Sequence, residues 1–98
     1  MNATTITTTP SFPLGQLLTP PGALDAMTES AQSPTEFLSR HRQLEQGELS
    51  DDDQRENLFS VDKELRIFSS FKTAKDVKLW VITEADRSAT TILLPSEY

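Results

Sequence analysis

The feature that most constrains this chain is a change of hydrophobic period at Leu65. From that residue on, "LRIFSSFK", "VKLWVIT" and "TTILLP" are rich in β-branched and aromatic residues, and only short polar stretches separate them. Such runs suit a pleated surface, and the spacing predicts a meander of three antiparallel strands that Pro95 ends.

Upstream of Leu65 the signals are those of helix starts. In "TPPGALDAMTES", Thr19 can cap, Pro20 and Pro21 suit a helix entrance, and Leu24 and Met27 give an apolar edge. "SPTEFLSRHRQL" places Ser33 as N-cap, Pro34 at the first helical position and Glu36 three residues after the cap. That pattern is a capping box. Phe37, Leu38 and Leu44 supply the stripe, and Gly47 provides a left-handed stop. A third helix opens at Ser50, with Leu49 before the cap able to staple back. Asp51, Asp52 and Asp53 fill its first turn, where the helix dipole favours negative charge, and Leu58 and Val61 point inward with Phe59 beside them. The short "LGQLL" at residues 14–18 suits an edge strand or one helical turn. The expected fold is α+β: two or three short helices followed by a three-stranded antiparallel β-meander. Residues 1–13 read as a flexible Thr/Pro-rich tail and residues 14–98 as a single small domain.

If the first hairpin pairs residues 72 and 77, one sheet face carries Leu65, Ile67, Phe71, Trp80 and Ile82. The other then carries Phe68, Val77, Leu79 and Val81. Both faces are partly apolar, so both need cover. Short helices cover one. The second is left for the N-terminal segment, another copy or a partner.

A chain of 98 residues has one modest core and little room for a deep cavity. It has no cysteine, so disulfides and thiolate metal sites are out of reach. No apolar run approaches a membrane span, and "MNATTITTTPSFP" lacks the basic and apolar regions of a secretory signal. A soluble, bacterial-type cytoplasmic protein is expected. The net charge of −6 is uneven: residues 1–30 carry −2, residues 31–64 carry −5 and residues 65–98 carry +1. That balance disfavours direct nucleic-acid binding and permits steering onto a basic protein surface.

Chemistry-bearing residues are few. The Asp51-Asp52-Asp53 run lacks the alternation, glycine bend and distal bidentate Glu of a calcium loop, so it reads as helix N-terminal dressing. His41, between Arg40 and Arg42, reads as a surface or half-buried structural histidine. Gly15, Gly22 and Gly47 are too far apart to cradle phosphate. The turn in "ITEADRS" brings Glu84, Asp86 and Arg87 together. A bend between strands is the first reading, because Asp bonds the backbone two residues on. A binding rim, or an acid/base pair with an anion clamp, are the alternatives. No catalytic residue, metal or cofactor is assigned.

"LGQLLTPPGALDAM", "SPTEFLSRH", "GELSDDDQREN", "RIFSSF" and "LWVITEADRSATTILLPSEY", in that order, resemble a family of small uncharacterised bacterial proteins of plasmids and other mobile elements. Some members carry a type I restriction modification subunit label. This chain is too short, and lacks the Gly-rich strand–helix turn, for a methyltransferase fold. The resemblance therefore implies a genomic setting and no activity. The expected function is a small non-enzymatic, protein-binding accessory module of a mobile element, bound to a protein partner or to itself as a homodimer. Trp80 would be its apolar anchor, with Glu84, Asp86 and Arg87 as polar rim. The alternatives are an acidic decoy that occupies a DNA-binding or defence protein through Asp51, Asp52, Asp53 and Glu56, and a small enzyme using the Glu84/Asp86/Arg87 turn.

Overall fold

The structure is a computed structural model that describes residues 12–44 and 51–98. In chain order it runs β1 (Gln16–Leu18), α1 (Pro21–Glu29), α2 (Pro34–Arg42), α3 (Asp51–Lys63), β2 (Ile67–Lys72), β3 (Lys78–Thr83), β4 (Ala89–Leu93) and a 3-10 turn (Pro95–Glu97). The fold is α+β, but the sheet is mixed and four-stranded, in the order β1-β4-β3-β2. The expected meander is there as β2–β3–β4, all antiparallel. "LGQLL" adds β1 parallel to β4, which corrects the three-stranded antiparallel sheet. Gly15 makes the addition possible. It adopts φ +69°, and a Cβ there would sit 2.4 Å from the Arg87 carbonyl oxygen. Only glycine lets the backbone come so close, and the Gln16 N–H then donates to the Ser88 carbonyl at 2.9 Å.

The first hairpin pairs Lys72 with Lys78, not with Val77. The loop explains the difference. Thr73 N–H donates to the Val77 carbonyl at 2.9 Å, so Val77 faces Thr73 and the ladder starts one residue later. A slip of one exchanges the faces of one strand relative to the other. Ile67, Ser69 and Phe71 therefore share a face with Leu79, Val81 and Thr83, and Phe68 shares the opposite face with Trp80 and Ile82.

The helices cover the first of these faces. Ala23 and Met27 of α1 and Phe37 and Leu38 of α2 pack on Phe71, Leu79, Val81 and Ile92, with Leu14 and Leu94 at the margin. Several details differ from expectation. Leu24 is 45% exposed, and the buried stripe of α1 is Ala23, Ala26 and Met27. Neither helix entrance is capped by its own neighbour. Ser33 occupies the N-cap of α2 without a side-chain cap bond, and the Glu36 carboxylate instead accepts from the Gln32 amide at 2.7 Å. At α1 the Glu97 carboxylate, 75 residues away, accepts from the N–H groups of Gly22 at 2.8 Å and Ala23 at 3.1 Å. α2 ends at Arg42, and Leu44 takes the left-handed conformation, φ 60°. Gly47, Leu49 and Ser50 lie outside the described residues, as do residues 1–11 of the expected tail and the side chain of Leu58. Phe12, placed in that tail from sequence, is buried.

α3 packs beside β2. Among its described side chains Asn57 and Ser60 are buried, with Phe59 exposed and Val61 half-buried. The polarity has a cause: the Asn57 carboxamide accepts from Phe68 N–H at 3.1 Å and donates to the Phe68 carbonyl. It thereby satisfies both backbone groups of Phe68 on the outer side of β2. Among the described residues, no helix is long and apolar enough to cross a membrane.

Candidate functional site

The sheet face turned away from α1 and α2 carries Phe68 of β2 and Trp80 of β3. Phe68 and Trp80 meet edge to face at 5.3 Å, and Trp80 meets Tyr98 in the same way at 5.8 Å. Such offset contacts are the favoured ones between rings. With Ile82 and Arg66 they line a shallow cleft of about 330 Å3. Chain continuity dictates the arrangement. β4 ends at Leu93, and the 3-10 turn of Pro95–Glu97 brings Tyr98 back over β3, where it stays 68% exposed. Glu97 anchors this return, because the carboxylate that caps α1 also accepts from Leu94 N–H at 2.9 Å.

Arg66 is the charged member of the cleft. An Nη donates to the Tyr98 hydroxyl at 2.8 Å, and the guanidinium carbon lies 5.4 Å from the centre of that ring. Its Nε stands 4.0 Å from the Glu84 carboxylate.

The sequence-selected residues are thus divided. Trp80 is the centre of the cleft wall, half-buried, and Glu84 stands next to it through Arg66. Asp86 and Arg87 belong to the β3–β4 turn. Asp86 is exposed, and Ser88 bonds its carboxylate through side chain and backbone N–H, the latter at 3.0 Å, which holds its pKa below the usual value. Arg87 faces inward along the turn, with φ 62°. Its guanidinium donates to the carbonyls of Leu65, Glu84, Ala85 and Ser60 at 2.7–3.1 Å and lies over the Phe12 ring. These bonds tie α3, the segment just before β2 and the turn together. Asp51, Asp52, Asp53 and Glu56 are exposed on α3, and Asp52 pairs with Arg55.

Sequence reasoning missed Arg66, Phe68 and Tyr98 as one group. The register is what joins Phe68 to Trp80: once Lys72 faces Lys78, Phe68 falls opposite Ile82 and on the same face as Trp80. Tyr98 carries no such signal, since its position depends on a turn after the last strand.

The second polar constellation is internal. His41 is fully buried, in place of the expected surface or half-buried site. Its Nδ1 is 2.6 Å from the Ser69 hydroxyl and its Nε2 is 2.8 Å from the Thr83 hydroxyl. Thr83 in turn is 2.7 Å from Thr90, and Thr90 donates to the Leu14 carbonyl at 2.7 Å. The direction of every bond follows from that last one. Thr90 spends its proton on Leu14, so Thr83 donates to Thr90. Thr83 then accepts from Nε2–H, and Nδ1 accepts from Ser69. The imidazole is the neutral Nε2–H tautomer, and burial pushes its pKa down to about 4. Phe12 closes the network with its ring centre 5.3 Å from that of His41.

Among the described residues no group of three or more His, Asp or Glu side chains is placed to hold a metal ion. No protein-family model matches this chain, and neither the curated proteins nor the solved structures yield a similar one.

Proposed function

We propose that this protein is a small non-enzymatic docking module that binds a protein through the open face of its sheet. The observation that supports the reading is the cleft of Arg66, Phe68, Trp80, Ile82 and Tyr98. It combines large rings, an arginine and partial exposure on one surface, the residue types that dominate interface energetics. The genomic setting implied by the resemblance fits an accessory role on a mobile element.

Trp80→Ala tests this. The tagged protein and the variant are compared for retained partners and for self-association by sedimentation. Loss of association with a cooperative melt retained supports docking. A variant that no longer folds makes Trp80 a residue of the fold and overturns the proposal.

The decoy reading has its own footing in the exposed carboxylates of Asp51, Asp52, Asp53 and Glu56 on α3. It predicts that converting these four to amides abolishes partner binding and that moderate salt does the same. The enzymatic reading of Glu84, Asp86 and Arg87 has less support, because the Arg87 guanidinium already donates to four backbone carbonyls.

A further inference from the structure

The His41 network ends on the N-terminal segment, and that segment is lightly held. Residues 12–18 lie along the edge of β4, to which β1 pairs over three residues with exposed side chains. Phe12 is the one fully buried side chain among them, and its ring stands edge-on to His41 at 5.3 Å. The Thr90 hydroxyl on the Leu14 carbonyl, the Gln16 N–H on Ser88 and the Leu14 side chain at the core margin add to the hold.

The other walls of the network are secured independently. Phe37 and Leu38 fix α2, and β2, β3 and β4 pair with one another. α1 keeps Glu97 at its entrance and Ala23 and Met27 in the core. Pro20 and Pro21 set a stiff boundary where the segment meets α1. Residues 12–18 can therefore leave without unpicking these elements.

The ring they help to cover is badly placed to take a proton. Among the described residues no carboxylate is bonded to it, since both nitrogens are taken by hydroxyls. β2, β3 and β4 supply the hydroxyls of Ser69, Thr83 and Thr90. The charged groups nearby are cations: Arg40 and Arg42 flank His41 on α2, and Arg87 of the β3–β4 turn lies over the Phe12 ring. A proton at Nδ1 turns Ser69 from donor to acceptor and leaves a buried imidazolium with no counter-charge. Lifting Phe12 lets water reach it.

We propose that residues 12–18 form an acid-released strap: protonation of His41 frees Phe12 and β1 from β4 while α1, α2 and the β2–β3–β4 meander stay folded. Release bares the β4 edge, so the sheet gains a strand-accepting side only in acid.

Amide hydrogen exchange of the full chain from pH 7.5 to 5 tests this, with rates referred to those of an unfolded chain at each pH. A ring that titrates at 6.5 when uncovered and at about 4 when covered makes opening roughly thirtyfold easier at pH 5 than at pH 7.5. Protection of the Gln16 amide should fall by that factor, starting near pH 6.5, and stay well below that of the β3 amides. Asp86, bonded to Ser88 beside the strap, stays ionised at pH 5 because its pKa is held below the usual value. His41→Gln should make Gln16 protection level across the range. Gln16 protection that does not change with pH in the native chain would overturn the strap. So would protection equal to that of β3 at every pH, or a fall that persists in His41→Gln. If that variant does not fold, the native chain's size and onset of the fall decide.

Discussion

His41 shows what a single buried side chain asks of its surroundings. Both ring nitrogens are satisfied by hydroxyls, and the chain of donors ends on the Leu14 carbonyl, which lies just before β1. One imidazole thus links α2, β2 and β3, and through Thr90 it reaches β4 and the N-terminal segment. The sign of its pH dependence follows from burial of the neutral form. Above 6.5 the ring is neutral whether folded or unfolded. As pH falls below 6.5 the unfolded chain takes up a proton that the folded one refuses until about 4. Stability is therefore lost across that window and the His41 contribution levels off below it, at about 3 kcal/mol in total. Denaturant melts between pH 7 and 4 should show the loss, and His41→Gln should remove most of this pH dependence at a cost in stability at pH 7. Thr83→Val strands the Nε2–H without an acceptor and should cost about 1–3 kcal/mol at neutral pH.

At the level of elements, the ends of the chain's segments are held by distant partners. α1 starts at Pro21 with no cap from its own flank, and Glu97 takes that place. Glu97→Ala should lower stability by about 1–2 kcal/mol, readable as a lower denaturation midpoint, because it frees two helix-entry N–H groups and the Leu94 N–H together. Gly15→Ala should cost more. The added Cβ would meet backbone at 2.4–2.5 Å, in a conformation that alanine resists. These two contrast with what sequence patterns disclosed. The helices over Pro21–Glu29, Pro34–Arg42 and Asp51–Lys63 were readable because proline entrances and acidic first turns act locally. The hairpin strands were readable from β-branched and aromatic runs. The register was not, since it is set by one loop bond, Thr73 to Val77, that leaves no mark in the hydrophobic pattern. That single bond decided which face of the sheet Trp80 occupies, and so whether the candidate site exists. Trp80 and Glu84 could be picked from sequence because an aromatic before a charged turn stands out. Arg66 and Tyr98 could not, since they meet only after the chain has reversed twice.

For the whole molecule, the mixed sheet gives two unlike surfaces. One is sealed by α1 and α2 and holds both the apolar core and the His41 network. The other is covered only in part, by the return of the chain through Tyr98.

The Asn57 carboxamide has a further effect at this scale. By engaging both backbone groups of Phe68 it occupies part of the outer rim of β2. The opposite rim, β1, is only three residues long and runs straight into Thr19, Pro20 and Pro21. Strand addition, the usual route by which a sheet recruits another chain or grows into a fibre, is thereby obstructed on both sides. Association is steered from a sideways zipper towards a stacked contact, which side chains rather than backbone must specify. Asn57→Ala should reopen one rim, seen as earlier light scattering on heating.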